Sequence, residues 1–170
     1  MQFGQYFAGL SRYHAWATAR LLDANLSSLT DEQWHRHCGL FFGSIHGTVN
    51  HLLVTDNIWY ARFAENHSLR MALDTELHRE RASVVDALTS AVQRWSPWIA
   101  TLDPTRFDGD LHYTRNNGET VQIPFAPALG HVFNHATHHR GQISAALTAM
   151  GRPGPELDWV YLLQQEARSA

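Results

Sequence analysis

The sequence predicts an all-α protein: a four-helix bundle with a small β-hairpin inserted between the third and fourth long helices and a short helix near the C-terminus. Three observations predict it. Apolar residues recur at three- and four-residue spacing along four long stretches, Gly, Pro and Asn clusters fall between those stretches, and β-prone residues concentrate in one short region. At 170 residues and 44% hydrophobic content, the chain is expected to form a single domain over residues 1–170.

The first long helix runs from Gln5 to Leu26, with Tyr6, Leu10, Tyr13, Ala17, Leu21 and Ala24 on one stripe. Ser27-Ser28 stops it, Thr30-Asp31-Glu32 starts a short capped turn, and Cys38-Gly39 through Gly43 forms a loop. Ser44 then caps the second helix, whose stripe is Ile45, Val49, Leu52, Asp56, Trp59 and Phe63. A third helix is expected to begin near Leu73–Glu76 and run through Leu88, Val92 and Trp95 to about Leu102, kinked or ended early by Pro97. Residues 107–123 then read as a hairpin, with Leu111–Thr114 and Thr120–Ile123 flanking Asn116-Asn117-Gly118. The fourth long helix starts at Pro124 or Pro127 and reaches Met150, with Gly151 as its stop. After the Arg152–Pro155 turn, Leu157 to Ala167 forms the short final helix.

Composition excludes several function classes. Cys38 is the single cysteine, so an intramolecular disulfide and a Cys-rich zinc ribbon are ruled out, and a cytoplasmic protein is expected. The net charge is −3 and no Lys/Arg cluster exists, which argues against nucleic acid as a partner. No stretch approaches the ~20 apolar residues that span a bilayer, and the N-terminus lacks a basic region leading into an apolar run, so no membrane association is expected.

The histidines are unusual: 12 of them, against 13 lysines plus arginines. Seven, at positions 14, 35, 37, 46, 67, 78 and 112, are scattered singly and are expected to be solvated. On the fourth helix, His131, His135 and His139 form two four-spaced pairs, each able to bring both imidazoles to one ion. Counting ~100° per residue, His139 lies about 60° from the centre of the core stripe, His135 about 100°, and His131 and His138 about 140–160°. Phase therefore selects His135 and His139. His51, about 120° from the stripe on the second helix, is a flank position that can face them. An all-imidazole set suits zinc, nickel, iron or copper rather than magnesium or calcium. Three ligands leave a coordination position open, as in catalytic rather than structural zinc sites.

Three stretches carry a family resemblance: Tyr13-His-Ala-Trp16-Ala17, then Ser44-Ile-His-Gly-Thr-Val-Asn-His51-Leu-Leu-Val-Thr-Asp56-Asn-Ile-Trp59, and His131-Val-Phe-Asn-His135-Ala-Thr-His-His139-Arg140-Gly141-Gln142. With them the chain resembles the DinB family of DinB/YfiT-like metalloenzymes from Tyr13 to Trp159. One departure is Thr18, where the first motif commonly has Asn. The resemblance implies a four-helix bundle, often a homodimer, binding zinc or nickel through one histidine of the second helix and two of the fourth. By position these are His51, His135 and His139. It also implies kinship with enzymes that use low-molecular-weight thiols such as mycothiol and bacillithiol.

Three functions follow as expectations. The first is a transferase that activates a low-molecular-weight thiol to attack a small electrophilic substrate; the second is a hydrolase using metal-bound hydroxide. The third is a non-enzymatic metal-binding stress-response protein. Asn134 and Gln142 flank the ligand pair and are candidates to orient it. Asp56 and Arg140 point at the centres of their apolar stripes, so they are expected to pair with each other or with another buried polar group. Among the aromatics, Trp59 is the best candidate to line a pocket, and the hairpin is a candidate lid. Cys38 is expected to be a free, buried thiol rather than a nucleophile.

Overall fold

Four long helices stand around a square in the computed structural model, which describes residues 2–169 apart from the side chain of Ala24. They are α1 (Phe3–Leu21), α3 (Ile45–Ala64), α4 (Arg81–Gln93) and α6 (Phe125–Ala149). Neighbours around the square are α1 with α4, α4 with α3, α3 with α6, and α6 with α1. A short α2 (Asp31–His35) precedes α3, α5 (Trp95–Ala100) continues α4, and α7 (Trp159–Ser169) packs on α1. The strands β1 (Asp110–Thr114) and β2 (Thr120–Pro124) pair antiparallel, with Leu111 opposite Ile123 and Tyr113 opposite Val121.

Local chemistry sets most boundaries as expected. Ser44 accepts a hydrogen bond from the Gly47 amide, and Thr30 with Gln33 forms a reciprocal capping box. Pro124 precedes α6 and Pro127 sits in its first turn, where no intrahelical donor is lost. The first helix differs from expectation at its end: after Leu21 it widens into a π-helical turn, Leu22–Leu26. Ala24, the last residue of the predicted stripe, has its side chain outside the described residues.

Two larger differences concern the third long helix. It begins at Arg81, not near Leu73–Glu76. The Asn50 carboxamide captures this segment, accepting from the amides of Leu77 and His78 and donating to the His78 carbonyl. A helix here would have to use those same backbone groups internally. The break falls between Gln93 and Trp95 rather than at Pro97 itself. Proline clashes with the carbonyl four residues earlier, which here is that of Gln93.

The core has two main parts. One gathers Leu21, Trp34, Val49, Leu53, Leu88, Ile143 and Leu147; the other gathers Phe7, Trp95, Phe107, Phe125, Leu129 and Phe133. Between them lies a buried polar network. The Asp56 carboxylate accepts from His14 Nε2 and Trp95 Nε1, both at 3.0 Å, and from Arg94 at 3.1 Å. Arg140 donates to His14 Nδ1 at 3.0 Å, to Thr18 and to Thr137. A guanidinium only donates, so His14 Nδ1 accepts and its Nε2–H donates to Asp56. The expected pairing of Asp56 and Arg140 is therefore indirect, bridged by His14. Burial lowers the His14 pKa, which keeps the ring neutral and suits this bridging tautomer.

His14 was expected to be solvated, yet it is 3% exposed. Its helical phase explains why: by the same count it lies about 60° from the centre of the α1 stripe. His46 is likewise buried, because α2 places Trp34 over it and the indole donates to His46 Nδ1. His35, His37, His67 and His112 are exposed, and His78 is half-buried.

Replacing Asp56 by Ala strands His14, Trp95 and Arg94 without their shared acceptor. The expected loss is roughly 3–5 kcal/mol of unfolding free energy, the usual cost of breaking a buried pair, read from urea denaturation midpoints. An unchanged midpoint would remove the network from its structural role.

Candidate metal centre

His51 projects from the second turn of α3, while His135 and His139 project from consecutive turns in the middle of α6. The structure brings the three together. His135 Nε2 lies 3.3 Å from His51 Nε2 and 3.1 Å from His139 Nε2, and one nitrogen from each ring falls within 4.8 Å of the others. Among the described residues this is the one cluster of histidine, cysteine or carboxylate groups with metal-binding spacing.

The hydrogen bonds behind two of these rings determine which nitrogen faces inward. His51 Nδ1 donates to the Leu73 carbonyl at 2.8 Å, and His139 Nδ1 donates to Gln142 Oε1 at 2.8 Å. The Gln142 amide is oriented in turn by donating to His138 Nε2. With a proton on Nδ1, each neutral ring directs the Nε2 lone pair inward. His135 can offer a proton to one neighbour only, so at least one close nitrogen pair has lone pairs opposed. A cation resolves that conflict. Zn–N bonds of about 2.0–2.1 Å at tetrahedral angles place ligand nitrogens about 3.3 Å apart, close to the spacing seen.

The rings are held neutral by their surroundings. Burial, with His139 nearby, pushes His51 down to about 4. Burial and the neighbouring rings, chiefly His139 and His51, push His135 down to about 3. His139 is lowered too, mainly by burial. All three offer unprotonated nitrogens at neutral pH, as ligation requires.

Exposure on α6 follows the phase count: His139 is buried, His135 half-buried, His131 and His138 exposed. His51 is only 2% exposed despite its flank position. Phe42 stacks on it, ring centroids 3.7 Å apart at 18°, and the Leu73 carbonyl meets its Nδ1 edge. Gly43, at φ +78°, turns the chain so that Phe42 can reach this place. Gly47 makes close room for the Phe42 backbone, since a Cβ there would collide with the Phe42 carbonyl.

The remaining candidates divide. Gln142 orients His139, and Trp59 lines the adjoining cavity. Asp56 and Arg140 lie in the network behind the site, where Asp56 and His135 line a common void of only about 10 Å³, which is about one water. Asn134 is exposed and makes no side-chain hydrogen bond among the described residues, so it does not join the others. Cys38 is half-buried against the core.

His51 and His135 open onto a cavity of about 290 Å³ whose walls include Thr55, Trp59, Arg62, Tyr113 and His131. The hairpin supplies Tyr113 and is anchored there by Thr114, which donates to Ser68, and by Asn116, which donates to the Met71 carbonyl. Sequence reasoning placed His131 away from the core, and it is; it belongs instead to the cavity rim, 5.3 Å from the Trp59 ring. Arg62 and Phe42 were not selected at all. The signal for Arg62 was present, since residues 51, 55, 59 and 62 share one face of α3.

The chain is a four-helix bundle with three convergent imidazoles between two adjacent helices, the kind of bundle-core position in which helical proteins can hold an ion. The DinB family model matches residues 4–169, and the chain belongs to the DinB family. It is 25% identical to Protein DinB of Bacillus subtilis (strain 168) over 166 residues, 95% of this chain and 96% of that one. Its fold is similar to that of YfiT from Bacillus subtilis, with a TM-score of 0.66 and 18% identity, over 84% of this chain and 86% of that chain. YfiT is described as a probable metal-dependent hydrolase with an unusual four-helix bundle topology. No described helix is long and apolar enough to cross a membrane.

The lowered histidine pKa values set a direction for stability in the metal-free protein. Unfolded histidine takes up a proton near pH 6.5, whereas folded His51 and His135 resist it down to about 4 and 3. Between those values the unfolded state binds more protons, so stability is full above about pH 6.5 and is lost as pH falls toward 4. Thermal unfolding in a chelating buffer should show a falling Tm across that window. A Tm flat from pH 7 to 4.5 would contradict the neutral, buried state of these rings.

Proposed function

We propose that this protein is a divalent-metal-dependent enzyme, with His51, His135 and His139 holding zinc or nickel, that carries out hydrolysis of a small molecule bound in the adjoining cavity. The observation that carries the reading is the convergence of three Nε2 atoms beside a cavity large enough for a small ligand, with His51 and His135 in its wall. The description of YfiT as a probable metal-dependent hydrolase supports the same class. A divalent ion held there supplies Lewis acidity that makes a bound water, or a bound thiol, ionise near neutral pH.

The chain's own residues do the rest. Leu73 and Gln142 hold the His51 and His139 rings at a fixed tautomer and orientation. Phe42 caps His51 and excludes water from that side, leaving the cavity as the approach. Trp59 and Tyr113 offer ring faces and edges to an apolar group. His131, 5.6 Å from His135 ring to ring, is the titratable group at the rim placed to take or return a proton as substrate enters or product leaves.

Thiol transfer is a second reading, favoured by a specific feature of the cavity: no Asp or Glu is among its lining residues. Hydrolytic metal sites commonly use a carboxylate as general base, whereas a thiol near a cation ionises without one. A low-molecular-weight thiol would then be the attacking cosubstrate.

Elemental analysis of the purified protein should find about one zinc or nickel per chain, lost in both His51→Ala and His135→Ala. Metal retained in both variants would overturn the ligand assignment. Turnover of an ester and amide panel without added thiol, abolished by either substitution, is the expected activity. Turnover that appears only with thiol would establish the second reading, and metal without turnover of either kind would leave a metal-binding protein that is not an enzyme.

A further inference from the structure

The cavity over the histidines has a second chemically distinct end. Arg62 lies on α3 eleven residues beyond His51, about 16 Å along the helix axis, and both line the same cavity. Its guanidinium sits 4.1 Å from the centre of the Tyr113 ring and 4.6 Å from that of Trp59. Unlike Arg12, Arg81, Arg94 and Arg115, each paired with a carboxylate, Arg62 makes neither an ion pair nor a hydrogen bond among the described residues. Its Nε is buried and has no partner.

A half-buried guanidinium with no protein partner for its fork is less well solvated than a surface arginine and favours an anionic ligand. The Trp59 and Tyr113 planes stand 68° apart, so cation–π contact with both holds the guanidinium in the angle between them, and its Nη donors have no protein partner among the described residues. No acidic residue lines the cavity, and the other arginine there, Arg115, is already neutralised by Glu119 at 2.9 Å. At the end of the cavity away from the histidines, the Arg62 charge therefore remains uncompensated, which matches one anionic group. A planar carboxylate fits the fork with two parallel hydrogen bonds.

We propose that Arg62 is the anion-binding end of the substrate site, taking the carboxylate of an elongated small molecule whose apolar body lies along Trp59 and Tyr113. Resting on the reading of the histidines as the reactive end, this places the scissile or electrophilic group at the opposite end from the carboxylate. The substrate class is thus an ω-functionalised aryl or alkyl carboxylic acid. Arg62 selects and positions it.

The test uses the full chain and needs no metal. 3-Phenylpropanoate and its neutral isostere 3-phenylpropanamide are titrated into metal-stripped wild type, Arg62→Met, Arg62→Lys and His135→Ala, read by calorimetry and by the Trp indole NMR signals. Wild type should bind the acid about tenfold more tightly than the amide. Arg62→Met should bind both alike, Arg62→Lys should keep part of the preference, and His135→Ala should keep all of it. Far-UV circular dichroism and amide spectra of each variant check its fold, and Arg62→Lys carries the test if Arg62→Met is misfolded. Equal binding of acid and amide in wild type, no binding of either, or a preference that survives Arg62→Met would overturn the proposal. So would a preference lost in His135→Ala but kept in Arg62→Met, because the carboxylate would then sit on the histidines. Metal content is measured separately, so a protein that binds no metal but prefers the acid through Arg62 would refute the metal reading and leave the anion end standing.

Discussion

One buried carboxylate, Asp56, ties all four sides of the bundle together. From α3 it reaches His14 on α1, Trp95 on α5 and Arg94 at the end of α4, and through His14 it reaches Arg140 on α6. Apolar packing alone tolerates sliding and rotation of a helix by a few degrees, because hydrophobic burial is not directional. Hydrogen bonds to a buried charge are directional, and leaving any one unmade costs the full desolvation of that group. Arg140 directly follows His139, so the bond from Arg140 to His14 determines the rotation of α6 at the position where its histidines must face α3. The network and the histidine cluster are two sides of one constraint on helix phase.

That constraint also explains which parts were legible in sequence. Long helices were readable because their stripes are set by local spacing. The ordering of exposure among the α6 histidines followed from phase, since burial there depends on the helix's own rotation. His14 differs: it stands alone in sequence, without a four-spaced partner, and only its helical phase, as near the core stripe as that of His139, marks it as buried. The start of α4 was illegible in principle. Residues 73–80 have helical spacing, but their backbone is held by Asn50, and a bond made by a side chain more than twenty residues away leaves no local trace.

The site shows the same division. Its histidines lie in regular helices and could be chosen from their spacing, whereas its walls come from segments with no periodic signal. Phe42 arrives from a glycine-dependent loop, the Leu73 carbonyl from an irregular connection, and Tyr113 from the hairpin. These pieces change the character of the flank position at His51, which would be partly solvated on a bare bundle and is instead sealed on two sides. Only after that covering is in place do His51, His135 and the unpaired Arg62 guanidinium become features of one cavity.

Neutral, closely spaced histidines are a compromise between availability and stability. Their lowered pKa values mean that few protons compete for the nitrogens at neutral pH, which favours ligation. The same arrangement brings ring nitrogens to 3.1 to 3.3 Å with at least one pair of lone pairs opposed, an unfavourable contact that His51 and His139 can leave only by breaking the Leu73 or Gln142 bond. A ligand bound there relieves the conflict and stabilises the folded state by mass action. The buried network behind the site makes this possible, because its bonds hold α6 in register whether or not the histidines are satisfied.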